Sequence, residues 1–123
     1  MTATKTVLIV DDDRDIVQGL QTVLEGCGYR VVMAHDGEAG LSAASRERPD
    51  LVLVDMMMPK KSGFLVLEGL KNKQAPPKVI MMTANDGSRH RAYAEMLGVD
   101  DYLRKPFAMD KLLDAVGRLC PID

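Results

Sequence analysis

With 123 residues, 46% of them hydrophobic and 28% charged, the chain has the size and composition of one globular domain with a real core. Its formal net charge of −2 argues against direct nucleic-acid binding, which needs a basic surface to offset phosphate repulsion. No apolar stretch approaches the ~18–20 residues of a membrane span, and the opening MTATKTVLIVDDD is no signal peptide, since its apolar run is short and ends in acid; the expectation is a cytoplasmic protein with no membrane contact.

Strand-like and helix-like segments alternate along the chain. Thr6–Val10 is a continuous apolar run, too short for a helix, and reads as a strand buried on both faces. Asp13–Gly26 follows with Ile16, Val17, Leu20, Val23 and Leu24 at helical spacing, and Gly26 and Gly28 as stop signals. Tyr29–Ala34 is strand-like and Gly37–Arg46 a modest helix. Leu51–Val54 is a second buried strand, and Gly63–Lys73 a helix closed by Pro76-Pro77. Lys78–Met82 is strand, Ser88–Leu97 helix, Asp101–Arg104 strand, and Ala108–Leu119 a helix with Leu112, Leu113, Val116 and Leu119 inward. Gly19, Gly69 and Gly117 fall inside helices at roughly 1 kcal/mol each against alanine, and close packing is the simplest reason for them.

Five βα units predict a parallel sheet with helices on both faces and right-handed crossovers. They are too few for a closed eight-stranded barrel. The best fit is an α/β, flavodoxin-like doubly wound sheet of five parallel strands, order 2-1-3-4-5, with five helices. That fold puts Cys27 and Cys120 near the C-terminal ends of neighbouring helices. The two show no metal-ligand spacing and are expected to be reduced thiols.

The strand endings carry the chemistry. VLIV runs into Asp11 and Asp12, LVLV into Asp55, VIMM into Thr83, and DYLR into Lys105-Pro106. Open parallel sheets bind and react at the carboxyl ends of their strands. Strand order 2-1-3-4-5 makes Asp11 and Asp12 neighbours of Asp55, and two carboxylates about 4 Å apart repel by about 4 kcal/mol at an effective dielectric of 20. A hard cation such as Mg²⁺ gives a reason to gather them. Taken alone, Asp11–Asp13 also reads as a helix N-terminus dressed with acid. Beside Mg²⁺ and Lys105, the Asp55 carboxylate is neutral enough to attack phosphorus and form an aspartyl phosphate. The Lys105-Pro106 bond can be cis at low cost, which would turn the lysine inward; alone, the pair also reads as a solvated lysine before a loop proline.

These motifs, VLIVDDD, LVLVDMMMP with Gly63 beyond it, MMTA and DYLRKPF, occur in an order and spacing that resemble the receiver domain of two-component response regulators, over nearly all of residues 1–123. The resemblance implies one receiver domain that accepts a phosphoryl group on Asp55 and slowly hydrolyses it, rather than a multiple-turnover enzyme. It implies Mg²⁺, with Mn²⁺ as a substitute, held by Asp12 directly, Asp11 through water, Asp55, and the Met57 backbone carbonyl. Lys105 pairs with the phosphoryl group, and Thr83 and Tyr102 form the switch pair. The donor is a histidine kinase or phosphotransfer protein docking near Asp13, Ile16 and Phe107. An output partner is expected on the fourth helix, fifth strand and fifth helix.

Some features depart from the family's habit. Lys60-Lys61-Ser62 makes a basic loop, which reads first as solvated and second as an attraction for an acidic partner. Met57 and Asn85 occupy positions that set how fast the phosphoryl group is lost. Asp101 suits the family's salt-bridged dimer, but Ala115 stands where its arginine is expected, so a monomer or weak dimer follows. His35 and His90 read as surface residues and the nine methionines as core filler and loop packing. Three other readings remain: a dehalogenase-like phosphohydrolase using Asp11 and Asp13, a flavin carrier, and a pseudo-receiver. The first lacks room for a cap, the second conflicts with an acidic first loop, and the third with the intact site residues. The end at Pro121-Ile122-Asp123 fits a stand-alone receiver and one cut from a longer protein equally well.

Overall fold

The computed structural model of this chain describes residues 4–58, 60–84 and 88–122. Its elements are β1 (Thr6–Val10), α1 (Arg14–Gly26), β2 (Arg30–Ala34), α2 (Gly37–Glu47), β3 (Leu51–Asp55), α3 (Gly63–Lys71), β4 (Lys78–Thr83), α4 (Ser88–Met96), β5 (Asp101–Arg104) and α5 (Met109–Leu119). All strand pairings are parallel, in the expected order β2-β1-β3-β4-β5.

Every residue of β1 and β3 is buried, which is why both read as unbroken apolar runs. The period of two splits them between two cores. Leu8, Val10, Val52 and Val54 pack with Val66, Leu67 and Leu70 of α3 and Ala43 and Ala44 of α2. Val7, Ile9, Leu51 and Leu53 pack on the other face with Val17, Leu20 and Leu24 of α1 and Leu112, Ala115 and Val116 of α5.

Boundaries move by one or two residues from the sequence reading, and two of the shifts matter. β3 and β4 run on through Asp55 and Thr83, because those residues still sit in the ladder, Asp55 opposite Met82 and Thr83 opposite Arg104. Asp13 stands before α1 rather than in it: its side chain accepts from the backbone N–H groups of Asp15 and Ile16, satisfying donors that the first turn leaves open.

Several expectations need correction. Of these three, Gly69 is explained by packing: a Cβ there would lie 2.9 Å from Leu41, whereas among the described residues nothing beyond the local helix backbone lies within 4 Å of one at Gly19 or Gly117. His35 is half-buried, its Nδ1 3.2 Å from the Asp11 carbonyl. His90 is half-buried too, stacked 6.0 Å from Phe64, with Nδ1 lacking a hydrogen-bond partner among the described residues. Of the methionines, Met56, Met81 and Met82 fill the core, but Met33, Met57, Met96 and Met109 are exposed. Cys27 and Cys120 cap the C-termini of α1 and α5 as free thiols. Among the described residues, no helix is long and apolar enough to cross a membrane.

Candidate functional site

Asp11 follows β1 directly. It is fully buried, its N–H bonded to the Ala34 carbonyl at 3.1 Å. One carboxylate oxygen accepts from the Asp13 N–H at 2.9 Å, and the other lies 2.7 Å from Lys105 Nζ. Asp55 ends β3 with 7% of its surface exposed, and Lys105 Nζ lies 3.2 Å from its Oδ1. Asp12, beside Asp11, is exposed. One oxygen from each of Asp11, Asp12 and Asp55 fits within a 4.8 Å cluster. The Lys105-Pro106 peptide is cis, and Lys105 points into the cluster.

Three carboxylates gather beside one ammonium, which touches Asp11 and Asp55, and the electrostatics record the imbalance. Burial, and then the charge of Asp11, push the Asp55 carboxyl up to about 6 against the pull of Lys105. Burial works to lower the Lys105 ammonium, yet the hydrogen bond and charge of Asp11, followed by those of Asp55, outweigh it and hold the lysine above its ordinary value. An all-oxygen donor set with excess negative charge suits a hard divalent cation. Asp13 is not one of the clustered carboxylates: its Oδ1 accepts the backbone N–H groups of the helix start, whereas Asp11 pairs with Lys105.

Neighbouring strand ends complete the edge. The Thr83 side chain is fully buried, and its carbonyl accepts from the Lys105 N–H at 2.6 Å. Tyr102 is turned inward with 9% exposure, its hydroxyl 4.0 Å from Met56 Sδ, and the Arg91 guanidinium lies 5.7 Å from its ring centre. Met57 projects its side chain to solvent immediately after Met56. Gly63 closes the loop behind Asp55: its N–H donates to the Met56 carbonyl at 2.8 Å, and a Cβ there would collide with the Asp55 carbonyl and Met56 Cα. Asn85 and Pro59 lie outside the described residues.

Sequence reasoning missed Met56, Arg91 and His35. Met56 was signalled weakly, because strand alternation past Asp55 turns it to the side opposite Asp55. Arg91 had no signal, since its neighbours come from other elements, whereas His35 follows β2 directly, as Asp11 follows β1. The fifth-helix arginine is also reassigned. Ala115 is buried, and Arg118 pairs with Asp101 at 2.5 Å within the chain.

A doubly wound sheet with this acidic, lysine-bridged edge defines a signalling receiver. The response regulator receiver domain model matches residues 7–117, and the chain belongs to that family. The alkaline phosphatase synthesis transcriptional regulatory protein PhoP of Bacillus subtilis (strain 168) is 41% identical over 104 residues, covering 85% of this chain and 43% of that protein. The chain thus spans about half the length of the curated relatives it matches. A CheY-like receiver domain protein from Methanospirillum hungatei JF-1 superposes with a TM-score of 0.88 at 31% identity, covering 94% of this chain and 93% of that one. A Burkholderia pseudomallei response regulator with a phosphorylated aspartic acid, calcium ion and citrate gives 0.84 at 28% identity, covering 90% and 65%.

Proposed function

We infer that this chain is the phospho-accepting switch of a two-component relay, with Asp55 as acceptor. The observation that carries this reading is Lys105 Nζ bridging Asp11 and Asp55 at 2.7 and 3.2 Å on the carboxyl edge of the sheet. In its ionised form, Asp55 attacks phosphorus with a carboxylate oxygen. The new O–P bond forms as the N–P bond of a kinase or phosphotransfer-protein phosphohistidine breaks, and the imidazole leaves.

Asp11, Asp12, Asp55 and the Met57 carbonyl are the groups that would hold Mg²⁺, or Mn²⁺ in its place. The phosphorylated relative with calcium supports a divalent ion there. When bound, such an ion neutralises charge on the phosphoryl oxygens and on the carboxylates. Lys105 then exchanges its Asp55 contact for a phosphoryl oxygen. The Thr83 hydroxyl turns to another, and Tyr102, already inward against Met56, is held there. The added charge and acceptor oxygens bias a two-state arrangement of α4, β5 and α5, where an output partner reads it. Hydrolysis by water slowly resets the acceptor.

The test is labelling by phosphoramidate with Mg²⁺, read as an acid-stable, base-labile acyl phosphate. Wild type is expected to take up one phosphoryl group and Asp55→Ala none. Equal labelling of the two would remove Asp55 from the role.

A further inference from the structure

The parallel register of β1 and β2 pairs Val10 with Ala34, so Asp11 and His35 come next along the two strands. The Asp11 N–H donates to the Ala34 carbonyl at 3.1 Å, as a last rung of that ladder. The chain then bends at His35 and Asp36, where Asp36 turns to cap α2. At that bend the half-buried His35 ring meets the Asp11 carbonyl, with Nδ1 3.2 Å from the oxygen. A carbonyl only accepts, so Nδ1 carries the proton in this contact. The neutral ring is then the Nδ1–H tautomer, and the charged ring keeps the same donor.

The Asp11 carbonyl and the Asp12 N–H share one rigid peptide plane. A donor that fixes the carbonyl therefore fixes the direction in which the chain leaves Asp11, and with it the place of the Asp12 Cα. This matters most for Asp12. Asp11 is fully buried and clamped through its carboxylate by Lys105 and the Asp13 N–H, and Asp55 ends a buried strand. Asp12 is exposed, so packing holds it less. Its carboxylate still falls within the 4.8 Å cluster.

Resting on the reading of Asp11, Asp12 and Asp55 as a divalent-cation site, we propose that His35 is a positioning residue for that ion: its Nδ1–H holds the Asp11–Asp12 peptide in the orientation that presents the Asp12 carboxylate. The ring acts through the peptide and is not itself a ligand. Order in the loop is set before the ion arrives, so less of the binding free energy goes into creating it. The role needs a donor at one place and no charge. Asparagine puts an amide N–H where Nδ1 stands, and glutamine puts one where Nε2 stands.

The experiment uses the whole 123-residue chain as wild type, His35→Asn, His35→Gln and His35→Ala, with folding checked by circular dichroism. Metal-free protein is titrated with Mg²⁺ and with Mn²⁺ by calorimetry. His35→Ala is expected to bind Mg²⁺ about tenfold more weakly than wild type, and His35→Asn within about twofold of it. His35→Gln should follow His35→Ala. A purely structural side chain would lower the urea midpoint in EDTA and leave the ion affinity of the folded protein unchanged. Phosphoramidate labelling of His35→Ala should be slow at limiting Mg²⁺ and recover at saturating Mg²⁺. In wild type under mildly alkaline conditions, two-bond ¹H–¹⁵N correlations should show the proton on Nδ1 of His35.

Equal Mg²⁺ affinity in wild type and His35→Ala would overturn the positioning role. So would His35→Asn binding no better than His35→Ala, or a proton on Nε2 of the uncharged ring. Each of these leaves the cation reading standing. A wild type that binds neither ion overturns the cation reading and this proposal together.

Discussion

Asp55 is a buried carboxylate whose charge the metal-free fold bears at a cost. Its folded value of about 6 exceeds the ordinary 3.8, so between those values the folded state holds a proton that the unfolded chain releases. Stability from this group is therefore full below the ordinary value and lost as pH rises through about 6. In EDTA, Asp55→Asn is expected to be more stable than wild type by about 1–3 kcal/mol at pH 7.5, with the gap closing by pH 4; urea unfolding across pH reads it. A gap that is flat in pH would mean that Asp55 is not charged at a cost. Lys60 offers a second residue-scale test. Its φ of 68° lies in the left-handed region, and its pairing with Asp36 at 3.8 Å is exposed and weak. Lys60→Gly should stabilise by about 0.5–1 kcal/mol, measured the same way.

At the scale of elements, two junctions hold the site edge and its opposite end. The α3 N-terminus touches the end of β3 at Gly63, where a methyl group would press on backbone atoms that cannot yield cheaply. Gly63→Ala is expected to cost about 2–3 kcal/mol and to depress phosphoramidate labelling together with the melting temperature. At the far end, Asp100 accepts from the Val79 N–H at 2.8 Å and from Lys71 Nζ at 2.7 Å, tying α3 to the starts of β4 and β5. Lys71 also donates to the Pro77 carbonyl. Asp100→Ala leaves a half-buried ammonium and a backbone donor short of a partner, and should lower unfolding free energy by about 1.5–3 kcal/mol. Labelling at low temperature should persist, because the lesion lies at the opposite edge of the sheet.

For the whole molecule, a divalent cation held by the carboxylate cluster would add to stability. An ion that binds the folded site and not the unfolded chain stabilises by RT ln(1 + [L]/Kd), about 2.7 kcal/mol at a hundredfold excess over Kd. Mg²⁺ should therefore raise the melting temperature of wild type, and should do so far less in Asp12→Asn, which loses an exposed ligand without disturbing the core. Equal rises in the two would take Asp12 out of the ligand set. The inward Tyr102, with Met56 near its hydroxyl and Arg91 over its ring, joins the acidic edge to the β5 face in one packed unit. A change at Asp55 therefore has a continuous path of contacts to α4 and β5.

Hydrophobic period, caps and strand endings are local properties, so the sequence alone determined the number, order and type of elements and the four pointed strand endings, while the strand order came only as the fold those elements fit best. β1 and β3 were legible because full burial writes itself as VLIV and LVLV. Which acid does what was not local. Asp11 and Lys105 meet across 94 residues of chain, and only the sheet's register brings them within 2.7 Å while Asp13 turns away to cap α1. The same holds for Ala115, buried where an arginine was expected. Distances between elements depend on how helices settle on the twisted sheet, a property of the packed whole that no segment carries by itself.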